Sequence, residues 1–177
     1  MNNQYIENAT FAGGCFWCMV KPFDQWDGVK SVISGYTGGS LMNPKYEDVK
    51  TEKTGHYEAV QITYDKRIIN YQTILDLYWQ QIDPTDPDGQ FHDRGPQYRT
   101  AIFYHTKEQL EAASKSKESL EHSGKFKKPI ATSILPATTF FPAETEHQDY
   151  YKKQPKDYEV DRAKSGRDTF IDEHWEE

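Results

Sequence analysis

The order of strand and helix patterns along this 177-residue chain predicts an α+β domain. The patterns run strand, helix, strand, strand, helix, strand, which is the split β-α-β arrangement of ferredoxin-like folds. A chain of this length forms one domain with its own core, and no repeat or change in composition marks a linker. We therefore expect one domain over residues 1–177, built as a two-layer α/β sandwich with long functional loops. Residues 156–177 form a charged, poorly patterned C-terminal tail.

The first predicted strand and helix surround both cysteines of the chain. Residues 8–12 alternate as a strand does, and residues 19–26 carry apolar side chains at helical spacing. Pro22 either kinks the first turns of this helix or marks the point near which the regular helix begins. Glycines at positions 13 and 14 allow a sharp turn between the two elements and a close approach of the backbone to a ligand.

The middle of the chain supplies two more strands and a helix. Residues 29–35 are typical of a strand, and residues 58–64 alternate cleanly between two faces. Residues 71–82 have the apolar stripe of a helix that packs on a core. The residues predicted to share one face of the later strand are Glu58, Val60, Ile62 and Tyr64. The residues predicted to form the buried stripe are Ile74, Leu75, Tyr78, Trp79 and Ile82.

A long loop over residues 83–98 contains three prolines and two glycines. Loops of this length in a compact domain are usually functional. A strand over residues 100–104 follows it. Thr106 then caps a helix that continues to about Ser123, and Gln109 completes a capping box. The remaining predicted elements are an edge strand over residues 131–135 and a helix over residues 144–153.

Charge and composition exclude several classes of partner and location. A formal net charge of −7 argues against a nucleic acid or an anionic membrane surface as partner. No apolar run approaches the about 20 residues that a membrane span needs, and residues 1–5 lack the pattern of a signal peptide. Two cysteines are too few for a disulfide scaffold, so we expect a protein of the reducing cytoplasm.

The segment that carries the chemistry is residues 13–18, with the sequence Gly-Gly-Cys-Phe-Trp-Cys. A structural zinc site needs four ligands, but Cys15 and Cys18 supply two, and no two of the six histidines lie within five residues of each other. Two inert, buried cysteines remain an alternative, although a C-x-x-C after a strand is more typical of redox chemistry. At the positive end of a helix dipole the thiolate of Cys15 is favoured.

These residues resemble the signature of the methionine sulfoxide reductase A family, whose members reduce the S epimer of methionine sulfoxide. Six further segments match the family in the same order, and the match covers most of residues 8–155. The resemblance implies a single catalytic domain with the same α+β core, acting in the repair of oxidised proteins. The matching segments are residues 34–39, 43–49, 54–58, 83–85, 90–99 and 141–144.

The resemblance also assigns roles around the reacting sulfur. Reduction of a sulfoxide by a thiol needs a thiolate, a proton for the departing oxygen and an apolar site for the methyl group. By their places in the motif, Cys15 is the nucleophile, and Phe16 and Trp17 are the walls of the methyl site. The alternative for these two aromatic residues is that they are ordinary core residues.

The oxygen site is implied by four residues far apart in the sequence. Glu58 heads a strand whose face is otherwise apolar, and burial there raises the pKa of a carboxyl group so that it can act as an acid. Tyr46 and Tyr98 match the positions whose hydroxyl groups bind the sulfoxide oxygen. Asp93 matches a family aspartate that positions the substrate, although it could also be an ordinary turn residue.

The last implied step restores the enzyme. Oxidation of Cys15 to a sulfenic acid is followed by condensation with a nearby thiol. Many family members keep that thiol in a C-terminal tail, which has no cysteine here, and Lys50 stands where some relatives have cysteine. The resemblance therefore implies that Cys18 forms a disulfide with Cys15, that thioredoxin reduces it, and that no metal or tightly bound organic cofactor takes part.

Two other functions fit part of the sequence. A thioredoxin-type thiol–disulfide oxidoreductase would explain the C-x-x-C, and residues 134–136 could form the proline loop of that fold. It would not explain Tyr46, Glu58, Asp93 and Tyr98 as a set. A module that binds oxidised methionine segments without turnover would use the aromatic pocket alone.

Overall fold

The computed structural model describes residues 4–175, in which six strands form the central sheet. Its strand order is β7-β6-β1-β3-β2-β8, and β4 and β5 form a separate two-stranded sheet. The strands in chain order are β1 (Ile6–Gly13), β2 (Val29–Thr37), β3 (Tyr57–Asp65), β4 (Gly89–Gln90), β5 (Asp93–Arg94), β6 (Thr100–Tyr104), β7 (Ser133–Pro136) and β8 (Phe141–Pro142).

Four strands of this sheet form the predicted split β-α-β core. The order β6-β1-β3-β2 has antiparallel pairing at every junction, which is the ferredoxin-like arrangement of four strands in the order 4-1-3-2. The predicted fold class is therefore confirmed. The edge strand predicted over residues 131–135 is β7, which lies parallel to β6. The short strand β8, which the sequence did not predict, closes the other edge against β2.

Helices cover one face of the sheet, where the larger hydrophobic cluster lies. The stripe predicted on the helix at residues 71–82 is buried at all five positions, so that prediction is confirmed. No helix within residues 4–175 has both the length and the apolar character needed to cross a membrane. The helices are α1 (Lys21–Asp24), α2 (Tyr46–Lys50), α3 (Tyr71–Gln81), α4 (Lys107–His122), α5 (Tyr150–Lys153), α6 (Pro155–Ser165) and α7 (Arg167–Trp175).

The helix predicted over residues 19–26 is wrong in its extent. The chain instead forms one 3-10 turn, Phe16–Met19, and then the single turn of α1. Pro22 lies in the first turn of α1, where its missing N–H costs no hydrogen bond. The regular helix therefore begins near the proline, as one of the two alternatives predicted.

The capping box predicted for α4 forms only in part. The Oγ1 atom of Thr106 accepts the N–H of Gln109 at 3.1 Å, as expected of an N-cap. The side chain of Gln109 does not return to Thr106 but accepts the N–H of His105 at 2.8 Å. Its Oε1 atom thus bonds to the residue before the N-cap, and its Nε2 atom donates to the Asn8 carbonyl at 2.9 Å. The second hydrogen bond connects α4 to β1.

The C-terminal part differs most from the prediction. The helix predicted over residues 144–153 is broken into the 3-10 turn Thr145–His147 and α5, because Asp149 has a left-handed φ of 51°. Within residues 156–177, the described part up to residue 175 is helical and packs on the domain through buried Tyr158 and Arg167. This tail is therefore part of the folded structure.

Candidate active site

Cys15 lies where β1 ends and the 3-10 turn begins. Gly14 before it has a φ of 89°, and a Cβ there would lie 2.6 Å from the Cβ of Gln90. A larger residue would therefore be both strained and blocked. The turn places both thiols inside the protein, with Cys15 7% exposed and Cys18 2% exposed.

Glu58 is held beside the nucleophile by the backbone. It lies near the start of β3, with its side chain on the same buried face as Val60, Ile62 and Tyr64, as the alternation predicted. Its Oε1 atom accepts the N–H of Phe16 at 3.2 Å. Burial raises the pKa of Glu58 to about 8, although the hydrogen bond from Phe16 opposes this rise. The carboxyl group is therefore protonated at neutral pH and can donate.

Tyr46 and Tyr98 lie next to this carboxyl group. Burial, and then the charges of Glu58 and Cys15, raise the pKa of Tyr46 to about 12, while a hydrogen bond with Tyr98 lowers it. Burial, and then the charges of Glu58, Tyr46 and Cys15, raise the pKa of Tyr98. Both hydroxyl groups thus stay protonated and remain hydrogen-bond donors at any physiological pH. They lie close to each other, to the acid and to the nucleophile.

Asp93 completes the polar side of the site from β5. Burial raises its pKa, and the charge of His92, whose Nε2 lies 3.6 Å from Asp93 Oδ1, opposes the rise. The charge of Asp93 also acts on Cys15, Glu58 and Tyr98. The long loop over residues 83–98 therefore brings two of the predicted residues, Asp93 and Tyr98, to the cysteine.

An aromatic cluster forms the apolar side of the site. The ring of Phe16 is fully buried and lies 5.5 Å from His147 and 6.4 Å from Tyr46 between centroids. Trp17 is partly exposed and stacks on Tyr150 with centroids 4.0 Å apart. The indole Nε1 donates to His147 Nδ1 at 3.1 Å, which fixes the plane of the ring. Phe16 is thus a core residue that also belongs to this aromatic cluster.

Sequence reasoning assigned no role to the residues that support this aromatic cluster. Both oxygens of Glu144 accept hydrogen bonds at 2.9 Å, one from the Tyr36 hydroxyl and one from the backbone N–H of Tyr46. Burial alone would raise the pKa of Glu144, but these hydrogen bonds hold it below its ordinary value. The motif over residues 141–144 marked Glu144, whereas no local pattern marked His147 or Tyr150.

One group of side chains in the described region has the composition of a metal site. Single ligand atoms of Glu144, Glu146 and His147 lie within 4.8 Å of one another. The oxygens of Glu144 already accept from Tyr36 and Tyr46, and His147 Nδ1 accepts from the indole of Trp17. These hydrogen bonds make the group a support for the aromatic wall.

Of the two thiols, Cys15 holds its proton more tightly than Cys18 does, which the sequence did not predict. The thiol of Cys15 forms a hydrogen bond with Cys18, and this contact, burial and the charge of Glu58 raise the pKa of Cys15 well above its ordinary value. The same hydrogen bond, helped by Arg167 and Arg162, lowers the pKa of Cys18 to about 6. The expectation that helix geometry favours a Cys15 thiolate is therefore wrong for the resting protein. The helix is a single 3-10 turn, and the N–H of Phe16 is already bonded to Glu58.

The structure thus brings all eight predicted site residues together around Cys15. Two of them carry the thiols, four supply carboxyl and hydroxyl groups near these thiols, and two belong to the aromatic cluster. The polar group is Cys15, Cys18, Tyr46, Glu58, Asp93 and Tyr98.

Comparison with known proteins gives one consistent result. The family model described as peptide methionine sulfoxide reductase matches residues 7–177. The chain is 65% identical over 170 residues to the peptide methionine sulfoxide reductase MsrA of Halalkalibacterium halodurans, covering 96% of this chain and 97% of that protein. Among solved structures, reduced Mxr1 of Saccharomyces cerevisiae is similar with a TM-score of 0.82 and 29% identity, over 88% of this chain and 89% of Mxr1. Mxr1 in complex with Trx2 shares the fold, with a TM-score of 0.59 and 24% identity over 84% and 87% of the two chains.

Proposed function

Because this chain belongs to the peptide methionine sulfoxide reductase family, we propose that it reduces methionine-S-sulfoxide with Cys15 as the nucleophile. Reduction of methionine sulfoxide is the activity of the family, and the chain is an oxidoreductase. The observation that carries the assignment of roles is the position of Glu58, a carboxyl group with a pKa of about 8, held by the N–H of the residue that follows Cys15. A proton donor beside a thiol is what departure of the sulfoxide oxygen requires.

In the first step, the sulfur of Cys15 attacks the sulfoxide and takes its oxygen. Glu58 donates its proton to that oxygen, and the Tyr46 and Tyr98 hydroxyl groups donate hydrogen bonds to it. The Cys15 proton passes to Cys18, whose sulfur already shares it. The substrate S–O bond breaks, methionine is released, and Cys15 becomes a sulfenic acid.

The substrate is oriented by two groups of side chains beside Cys15. Trp17, held by Tyr150 and His147, and Phe16 form the apolar wall for the methyl group. Tyr46, Tyr98 and Glu58 form the oxygen site, and Asp93 helps to position the substrate. With both groups fixed, one face of the sulfur points at Cys15, so a single epimer is preferred, and the resemblance to the family implies that it is the S epimer.

In the second step, Cys18 attacks the sulfenic acid and forms a disulfide with Cys15, and water leaves. The chain has no third cysteine, so Cys18 is the cysteine that can supply the resolving thiol. We propose that thioredoxin reduces this disulfide, since the structural neighbour Mxr1 has been solved in complex with Trx2. The substrate would be methionine sulfoxide in proteins or free, and the setting would be repair of oxidised proteins in the cytoplasm.

The test is the amount of methionine formed from each sulfoxide epimer with dithiothreitol as reductant. The proposed function predicts turnover of the S epimer alone. The thioredoxin-type alternative predicts reduction of insulin disulfides instead, and a binding module predicts association without methionine. The family match over residues 7–177 favours the reductase over both.

A further inference from the structure

Arg167, the first residue of α7, is an unusual arginine because its whole side chain is buried. It is 1% exposed and is the largest of the fully buried side chains. Among residues 4–175, no carboxylate lies within ion-pair distance of its guanidinium group. Burial of a charged group that forms no ion pair is costly. Other interactions of the guanidinium group must therefore offset this cost.

The guanidinium group contacts both ends of the cysteine segment. Its Nη2 atom donates to the Gly13 carbonyl at 3.0 Å, and its Nη1 atom lies 3.6 Å from the sulfur of Met19. Nη2 also lies 3.0 Å from the place where a Cβ on Gly14 would stand. Nη1 donates to the Gln81 carbonyl at 2.6 Å, which fixes the group on α3. The charge is therefore held against the short turn that contains Cys18.

The side chain also has unused hydrogen-bonding capacity. Its Nε atom is buried and has no hydrogen-bond partner in the described structure. One face of the guanidinium is covered by the ring of Phe91, with Cζ 4.8 Å from the centroid, which excludes water from that side. Neutral oxygens and a sulfur accept from its Nη1 and Nη2 atoms. The Arg167 charge acts on the Asp93 carboxyl group, but the two groups do not form an ion pair.

A second arginine near Cys18 provides a contrast. Arg162 on α6 donates to the Cys18 carbonyl at 3.3 Å, but its Nε also lies 2.8 Å from an oxygen of Asp168. Its charge is thus largely balanced by a carboxylate, whereas that of Arg167 is not. Of the two cations near Cys18, Arg167 is the one whose charge remains available to a thiolate.

We propose that Arg167 is a positioning residue of the second step, where its unpaired charge keeps Cys18 as the thiolate that attacks the Cys15 sulfenic acid. This inference rests on the proposed role of Cys18 as the resolving thiol. After methionine leaves, the Cys18 proton passes to the Glu58 carboxylate. The Cys18 thiolate then forms the S–S bond, the Cys15 S–O bond breaks, and the departing hydroxide takes the proton from Glu58 to give water. The sulfoxide has already served as the oxidant, so no other is needed.

The same charge favours reopening of the disulfide. Thiols with a lower pKa are the better leaving groups in thiol–disulfide exchange. Attack by a reductant on the Cys15 sulfur would therefore release Cys18, stabilised by Arg167, in preference to the reverse order.

The first measurement uses the Cys15→Ser protein, in which Cys18 is the sole thiol. Ultraviolet absorbance of the thiolate as a function of pH then gives the pKa of Cys18 and needs no reagent to reach it. The hydrogen bond with residue 15 has the largest effect on Cys18, and in this protein the serine hydroxyl takes the place of the thiol as its donor. Besides Arg167, the other groups that act on Cys18 are Arg162 and Asp161 on α6, with Tyr158 and Glu58 nearby. We expect Arg167→Gln, which keeps donors and removes the charge, to leave roughly ten-fold less thiolate at neutral pH.

Two variants serve as controls. Arg167→Lys keeps the charge and should keep the low pKa of Cys18. Lys164→Gln removes the same charge from an exposed position of α6 and should leave the titration of Cys18 unchanged. The reference for each variant is the Cys15→Ser protein that keeps Arg167. A folded Arg167→Lys protein with a Cys18 pKa well above that reference would overturn the proposal, even where Arg167→Gln does not fold.

The second measurement follows one turnover in the protein that retains both cysteines. The proposal predicts that Arg167→Gln lowers the rate of disulfide formation relative to the rate of methionine release by roughly ten-fold, so that the sulfenic acid accumulates. An unchanged ratio, with an unchanged Cys18 titration, would refute the role of Arg167. If the wild-type protein formed methionine and left Cys18 reduced, the role of Cys18 itself would fail, which is a different result.

Discussion

The Oε1 atom of Glu58 and the backbone N–H of Phe16 are joined by a hydrogen bond of 3.2 Å between β3 and the turn that carries the nucleophile. The acid and the thiol are therefore fixed to each other through the main chain. The N–H belongs to the residue that follows Cys15, so this hydrogen bond holds the carboxyl group of Glu58 near the nucleophile. It also removes from Cys15 the free N–H that a helix start would offer.

Replacement of the acid tests this arrangement directly. Glu58→Gln keeps the shape and an oxygen for the Phe16 N–H but has no proton to give, so kcat should fall by about 10²–10³ with little change in substrate binding. Steady-state kinetics and equilibrium binding of the S epimer measure the two effects. Tyr46→Phe and Tyr98→Phe should each cost less, because each leaves the other donor in place. Near-normal turnover by Glu58→Gln would exclude the carboxyl group as the acid.

The pH dependence of methionine release follows from the pKa of Glu58. Burial raises it to about 8, and the protonated form of Glu58 is the active one, so the single-turnover rate should fall above about pH 8. It should also fall below about pH 6, where Cys18 is protonated and can no longer take the Cys15 proton. The same profile in Glu58→Gln should lack the falling limb at high pH. A high-pH limb of the same midpoint in both proteins would assign it to another group.

The raised pKa of Glu58 should also make the free energy of unfolding depend on pH. The pKa of Glu58 is higher in the folded protein than in the unfolded chain, so the folded state binds the extra proton between the two values. The contribution of Glu58 is thus fully present below the unfolded pKa and is lost as the pH rises toward about 8. Relative to Glu58→Gln, the wild-type free energy of unfolding should fall by roughly 4 kcal/mol from about pH 5 to about pH 8. Urea unfolding at both pH values measures it, and a difference independent of pH would contradict the burial of the carboxyl group.

Stereospecificity follows from the fixed aromatic wall and the fixed oxygen site. A racemic methionine sulfoxide substrate should stop at about half conversion, because the R epimer would direct its oxygen toward Trp17 and away from Tyr46. Chiral chromatography of the remaining sulfoxide should find the R form. Complete conversion of both epimers at comparable rates would disprove a single bound orientation.

The fate of the two thiols separates the two chemical steps. Cys18→Ser should release about one methionine per protein and then stop with Cys15 as a sulfenic acid, whereas Cys15→Ser should release none. In the wild-type protein, one turnover without reductant should consume both thiols in an intramolecular disulfide. Thiol titration and peptide mass mapping measure this. A disulfide between two chains would require a different resolving partner.

The resemblance to the family predicted most of this site, because residues such as Asp93 and Tyr98 lie in a loop without a periodic pattern, whereas Glu58 lies on a periodic strand. The period of two in β3 places Glu58 on the same face as Ile62, and the apolar stripe of α3 is visible in the sequence. The protonation order of the two cysteines could not be predicted. It depends on Glu58 and Arg167, which lie 43 and 152 residues from Cys15 in the sequence, and on the brevity of the turn after Cys15.

The C-terminal elements escaped prediction for a different physical reason. The buried side chains that hold them are polar or amphipathic, as with His147, Tyr158 and Arg167, so the segment lacks the apolar period of a packed helix. The break at Asp149 depends on a left-handed backbone that an aspartate can adopt without a glycine. The sequence showed this tail only as charged and poorly patterned, whereas one of its charged side chains, Arg167, lies inside the domain.

The two edges of the central sheet affect how the protein behaves at high concentration. β7 has four residues and β8 has two, and each ends in a proline, Pro136 and Pro142. Proline has no N–H to offer an incoming strand, and short edge strands give such a strand little to pair with. These edges therefore limit the pairing of strands between copies of the protein.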